Sequence, residues 1–128
     1  MKLTRLLPLA TIWIMMGISA VRAELEPVPI RELLEKPTGV AIAGEVKSIV
    51  GNEFILDDGT GQIIVDAGPR WWHQIELLPG ETVTVVGEYD DYDFDAFSIT
   101  REDGTLIEIR DASGPPPWAG GPNRRRRN

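Results

Sequence analysis

The chain has no cysteine, one histidine and few positive charges ahead of its last residues. Each shortage removes a class of function. Without cysteine there is no disulfide, no thiolate metal site and no thiol chemistry, so the fold must hold by burial. With His73 alone, a histidine-based metal site has no partner ligand, and a partly exposed helical position is the expected role of that residue. The serines Ser48, Ser98 and Ser113 fall in no recognisable nucleophile motif, so the chain reads as non-enzymatic. Long apolar runs are missing too, apart from Leu6–Ile18 near the start.

That run follows Lys2 and Arg5 and ends at Val21-Arg22-Ala23, with small residues at the −3 and −1 positions. It reads as a signal peptide, residues 1–23, cleaved before Glu24, which places the protein in the periplasm or outside the cell. A retained anchor is the competing reading, but the run contains Pro8 and falls short of the about 20 apolar residues a span needs. After cleavage no transmembrane segment is expected.

All 20 acidic residues follow the leader, and between residues 24 and 123 they face 6 basic ones, a balance of −14. Such a surface repels phosphate and attracts cations. The remaining chain is enough for one domain, residues 24–112, with one modest core. Residues 113–128, ending in Arg124–Arg127, are rich in proline, glycine and arginine and are expected to be disordered. The arginines have three readings: a solvated end, an arm folded onto the chain's acidic surface, or a weak contact with anionic membrane.

Along residues 24–112 the hydrophobic period points to β-structure. Ile30–Glu35 has spacing for a short N-terminal helix, stopped by Pro37. Val40, Ile42, Gly44 and Val46 then share one face of a long first strand, in which Gly44 suggests a bend. Gly51-Asn52 turns the chain into a second strand at Phe54 and Leu56. The stretch Asp57-Asp58-Gly59-Thr60-Gly61 carries hairpin chemistry: aspartates bond their own backbone, and glycines supply positive φ. As a calcium loop it lacks the 1, 3, 5, 12 carboxylate spacing. Ile63–Asp66 is a third strand, Arg70–Leu78 has weak helical spacing, and Thr82–Glu88 alternates as a fourth. Phe97 and Ile99 mark a fifth strand, and Ile107 and Ile109 an extension or a sixth.

Five short strands, a bent glycine-containing first strand and a short helix between strands 3 and 4 describe an all-β, five-stranded OB-fold barrel. The segments VAIAGEV, NEFILDDGTGQIIVD, RWW and PGETVTVVGEYD resemble the bacterial OB-fold (BOF) family of small periplasmic stress-associated proteins, over about residues 28–110. The resemblance implies an exported, non-enzymatic barrel that favours small or cationic ligands over nucleic acid. The His73–Leu78 segment and the arginine-rich tail depart from the family pattern.

In OB barrels the ligand face lies over strands 2 and 3, flanked by the loops joining strands 1–2 and 4–5. Here the first loop, Ser48–Asn52, is short, and the second carries Tyr89, Asp90, Asp91, Tyr92, Asp93 and Asp95. These six are the candidate ligand-binding residues, with Phe94 a further ring. Counted from Asp91, acids fall at positions 1, 3, 5 and 12, namely Asp91, Asp93, Asp95 and Glu102, which are the candidate metal ligands for Ca2+. Against that stand Ala96 at the sixth position, Ser98 at the eighth and the lack of flanking helices. A solvated acidic loop that attracts cations loosely is the competing reading, and no other cofactor is indicated. Asp91, Asp93 and Asp95 are also in phase with Phe97 and Ile99, so the loop is expected to break that phase.

The expected partner is thus a cation, a small cationic molecule or a basic protein segment, with a role in envelope stress tolerance implied by the resemblance. One alternative is a single-stranded nucleic-acid binder using these rings, although the basic groove such binding needs is missing. Another is a structural module of an envelope complex, with Trp71, Trp72 and Trp118 at an interface. Otherwise Trp71 and Trp72 are expected to plug the open end of the barrel.

Overall fold

The computed structural model describes residues 25–35 and 38–122; the leader and the arginine run Arg124–Arg127 lie outside the described residues. A 3-10 helix, Ile30–Glu35, precedes strands β1 (Thr38–Val50), β2 (Glu53–Asp57), β3 (Gln62–Asp66), β4 (Thr82–Tyr89), β5 (Phe94–Thr100) and β6 (Leu106–Glu108). They form one all-β sheet in the order β3-β2-β1-β4-β5-β6, and a further β3–β5 pairing closes five of the strands into a ring. Every pairing between these strands is antiparallel except that closing one, which is parallel and two residue pairs long, Val65↔Phe94 and Asp66↔Asp95. This is the strand order of the OB type.

The long first strand makes the closure possible. Residues 38–45 of β1 pair with β4 and residues 45–50 with β2, so the strand must bend between its two partners. Gly44 sits at the bend, where a Cβ would collide with the Asp57 carbonyl. The bend expected there from sequence is what the strand contains, reinforced by a bulge between Val46 and Ser48. Alternate residues fill the interior: Ile42, Val46, Leu56, Val65, Val85 and Phe94 are completely buried. Each such side chain contributes about 1.5–3 kcal/mol relative to an exposed one.

A second bulge corrects the phase argument. Val86 pairs with Ser98 but Gly87 pairs with Ala96, leaving Phe97 as the extra residue of β5. Phe94 and Ala96 point inward before it and Ile99 after it, all three in the core cluster. The break therefore lies inside β5 and not in the loop before it. Phe97 is buried outside that cluster, beneath the guanidinium of Arg110 at 4.7 Å from its ring centre. Phe94, considered as a ligand-face ring, is fully buried core.

The expected helix between strands 3 and 4 is not formed. One turn follows Pro69, where Trp72 N donates to the Pro69 carbonyl at 3.0 Å, and residues 73–78 form no regular element. Their burial alternates, with Ile75 and Leu77 buried and Gln74, Glu76 and Leu78 exposed. Asn52, the only buried polar residue among those described, makes the difference. Its side-chain amide donates to the Gly68 and His73 carbonyls at 3.1 and 2.5 Å and accepts from Ile75 N at 3.1 Å. Backbone groups that a helix would use are thereby tied to the β1–β2 turn. Ile75 and Leu77, and not Trp71 and Trp72, complete the core there. Trp71 is exposed and Trp72 half-buried, packed edge to face at 6.3 Å.

Residues 113–122, expected to be disordered, also carry packing. Trp118 is half-buried against the core cluster and meets Trp72 at 6.5 Å between ring centres. Among the described residues no helix is long and apolar enough to cross a membrane.

Candidate functional site

The corner at residues 57–61 uses its carboxylates internally. Asp58 Oδ1 accepts from Thr60 N, Thr60 Oγ1 and Gly61 N at 2.9, 2.6 and 3.1 Å, and Asp58 Oδ2 accepts from Ile30 N at 2.8 Å. Asp57 accepts from Gly59 N and from the Gln62 amide. Burial would raise the Asp58 pKa, but bonds from Thr60, Ile30 and Gly61 outweigh it and hold the group below its ordinary value. These aspartates hold the turn and pin the 3-10 helix to it.

The β4–β5 loop differs. Asp90 N donates to the Asp93 carbonyl at 3.1 Å, and Asp90 Oδ1 accepts from Tyr92 N and Asp93 N at 3.3 and 3.1 Å. Asp91 adopts φ 81°, the only non-glycine residue in the left-handed region among those described. A turn this tight brings one set of carboxylates together: oxygens of Asp90, Asp93 and Asp95 all lie within 4.8 Å of one another. Asp93 belongs equally to a second set with Glu53 and Asp66. Five carboxylates thus converge on one rim.

The sequence-derived ligand set is redistributed by this geometry. Asp93 and Asp95 are in the rim, and Asp90 joins them. Asp91 is exposed and belongs to neither set, and Glu102, exposed in the β5–β6 turn, belongs to neither. Tyr89 is half-buried, with its hydroxyl donating to the Asp91 carbonyl at 3.2 Å, so it braces the loop. Tyr92 is 90% exposed. Both tyrosines line a separate, mainly apolar groove of ≈ 540 Å³ with Leu34, Ile55 and Ile64.

Glu53 and Asp66 were missed by sequence reasoning, although a signal existed. A hairpin turning at residues 58–61 pairs Asp57 with Gln62, and counting outward sets Glu53 opposite Asp66. Like charges directly opposite one another oppose pairing, so their placement at the open end of the hairpin is informative.

The electrostatics follow from crowding. Burial, the bond to Asp90 and the charges of Asp90, Asp95 and Asp66 push Asp93 up to about 7. Burial, then Asp90 and Asp66, push Asp95 to about 6, against a downward pull from Arg110. Asp90 is held low, chiefly by the bond from Asp93. The rim is therefore still partly protonated near neutrality, and a cation arriving there would displace that proton. Oxygens within 4.8 Å of one another can share one ion at the 2.3–2.6 Å typical of calcium.

The rim borders a groove of ≈ 710 Å³, lined among others by Glu53, Asp66, Asp95, Arg70, Trp71 and Trp118. Arg110 also lines it, but is engaged with Glu88 at 2.9 Å.

No family model matches the chain, and no curated protein is similar to it. Among solved structures it is similar to the S. pombe Stn1–Ten1 complex (19% identity, 65% of this chain and 81% of that one, TM-score 0.49). It is similar also to the hypothetical protein ygiW from E. coli (20% identity, 59% and 89%, TM-score 0.47). A third likeness is to the telomere capping protein Ten1 from S. pombe (16% identity, 81% and 91%, TM-score 0.49). Likenesses this distant carry no function to the chain, and its architecture rests on the strand order and ring closure described above.

Proposed function

We propose that the protein is an exported, non-catalytic binding module built on an OB-type barrel, whose acidic rim takes a cation, a small cationic molecule or a basic protein segment. The observation that carries this reading is the convergence of Glu53, Asp66, Asp90, Asp93 and Asp95, two overlapping sets of oxygens at ion-sharing distance. Hard carboxylate oxygens suit calcium-like ions, with water completing the coordination shell. Export rests on the leader, and a role in envelope stress tolerance on the resemblance of the strand motifs to the BOF family.

Titrating the protein with calcium, a polyamine and a basic peptide tests the proposal. Binding should weaken with salt and strengthen as pH rises through about 6–7, where the Asp95 and Asp93 protons leave. Replacing Asp90, Asp93 and Asp95 together by Asn should lower affinity at least about tenfold. Equal binding by the triple variant sinks the site, and tight salt-resistant binding of a labelled oligonucleotide favours a nucleic-acid role instead.

A further inference from the structure

The groove beside the acidic rim is walled at one end by the chain's own C-terminal segment. Trp118 stands over Gly68 so closely that a Cβ added there would lie 2.9 Å from its ring. Trp118 and Pro116 line the same groove as Asp66 and Asp95. Backbone bonds from Ala119 N to the Pro116 carbonyl (3.0 Å) and from Gly121 N to the Trp118 carbonyl (3.1 Å) turn the chain as it leaves. Pro122 is the last described residue, and Arg124–Arg127 follow it.

Reach and charge together name an occupant. At about 3.3–3.6 Å per residue, Arg124 lies within roughly 20 Å of contour from Trp118 and Arg127 within roughly 30 Å. Glu53, Asp66 and Asp95 line the same cavity as Trp118, so the distance to be spanned to them is that of the groove itself. Two guanidiniums line it, Arg70 and Arg110, and Arg110 is committed to Glu88. The acids therefore outnumber the cations beside them. Guanidinium pairs with carboxylates through two parallel bonds and stacks on indole, and exposed Trp71 presents such a ring in the groove.

We propose that this groove is a docking surface for the chain's own Arg124–Arg127, tethered by Trp118, which makes the tail a built-in competitor of external cationic ligands. The inference rests on the reading that the rim takes positive charge. A tail held nearby acts at an effective concentration of the order of mM, so if the tail's own affinity for the groove is about 0.1 mM, an external basic peptide binds the wild type about tenfold more weakly than the open groove.

The test uses the full chain with Arg124→Gln, Arg125→Gln, Arg126→Gln and Arg127→Gln, beside the wild type. A fluorescent tetra-arginine peptide should bind the variant about tenfold more tightly at low salt, and the gap should close at high salt. Independently, the four substitutions should shift the amide NMR signals of residues 50–53, 66–68, 70 and 95–96. Unshifted amides, or equal peptide affinity for the two proteins, overturn the docking. If the peptide binds neither protein while those amides still shift, tail docking stands and the external-ligand function falls.

Discussion

Replacing Asp93 by Asn should make the protein more stable at alkaline pH and leave it unchanged in acid. The Asp93 carboxyl is raised from 3.8 to about 7 by burial and by Asp90, Asp95 and Asp66. The folded state thus holds this proton more tightly than the unfolded chain does, so stability falls as pH rises from about 4 to about 7. A shift of about three units corresponds to at most about 4 kcal/mol at 1.36 kcal/mol per unit. The carboxyl keeps contact with solvent and shares its proton with Asp90, and screening reduces the effect to about 1–2 kcal/mol. Asn keeps a donor for Asp90, removes the charge and relieves Asp95. Thermal unfolding followed by circular dichroism, with chelator present, should show Asp93→Asn melting about 5–10 °C above the wild type near pH 8. Near pH 3, below the ordinary carboxyl value of 3.8, the group is protonated in the folded and the unfolded chain alike, and the two curves should superimpose. A variant no more stable at about pH 8, or equally stabilised at both pH values, would refute the crowding argument.

The corner and the buried amide yield two further tests. Asp58→Ala removes the acceptor for Ile30 N, Thr60 N and Gly61 N and should cost about 2 kcal/mol in urea unfolding while leaving calcium affinity unchanged. A drop in calcium affinity would make that corner part of the site after all. Asn52→Ala leaves Ile75 N and the Gly68 and His73 carbonyls without their partner and should cost about 2–4 kcal/mol, with faster amide exchange at Ile75. A loss below about 0.5 kcal/mol would show that residues 73–78 hold their path without it.

Much of this architecture was legible because local chemistry and global fold agree. The 57–61 turn, the bend at Gly44 and the alternation of β2, β3 and β4 are written in residues whose neighbours in sequence decide their conformation. The segment 70–78 was misread because its conformation is set by Asn52, about 20 residues earlier in the chain, and no periodicity reports a side-chain bond of that range. The alternation of Ile75 and Leu77 was present, but six residues between a tryptophan pair and Pro79 give a weak signal. The acidic loop was found by composition, whereas its partners were not. Glu53 and Asp66 lie on a hairpin far from it in sequence, and the parallel β3–β5 pairing alone brings Asp66 alongside Asp95. Asp91 and Glu102 fitted a linear calcium-loop spacing that presupposes a continuous loop. The Asp90 turn, with Asp91 at positive φ, replaces that loop by a tighter one.

The ring is sealed along the β3–β5 seam by two rungs, and one of them sets Asp66 beside Asp95. Neighbouring strands repel where both carry the same charge. The briefest strand-to-strand pairing among the described residues therefore carries a like-charge rung, and a bound positive charge would act there as a rivet. On the proposed reading of the rim, a cation held between Asp66 and Asp95 would favour the closed ring by removing that repulsion.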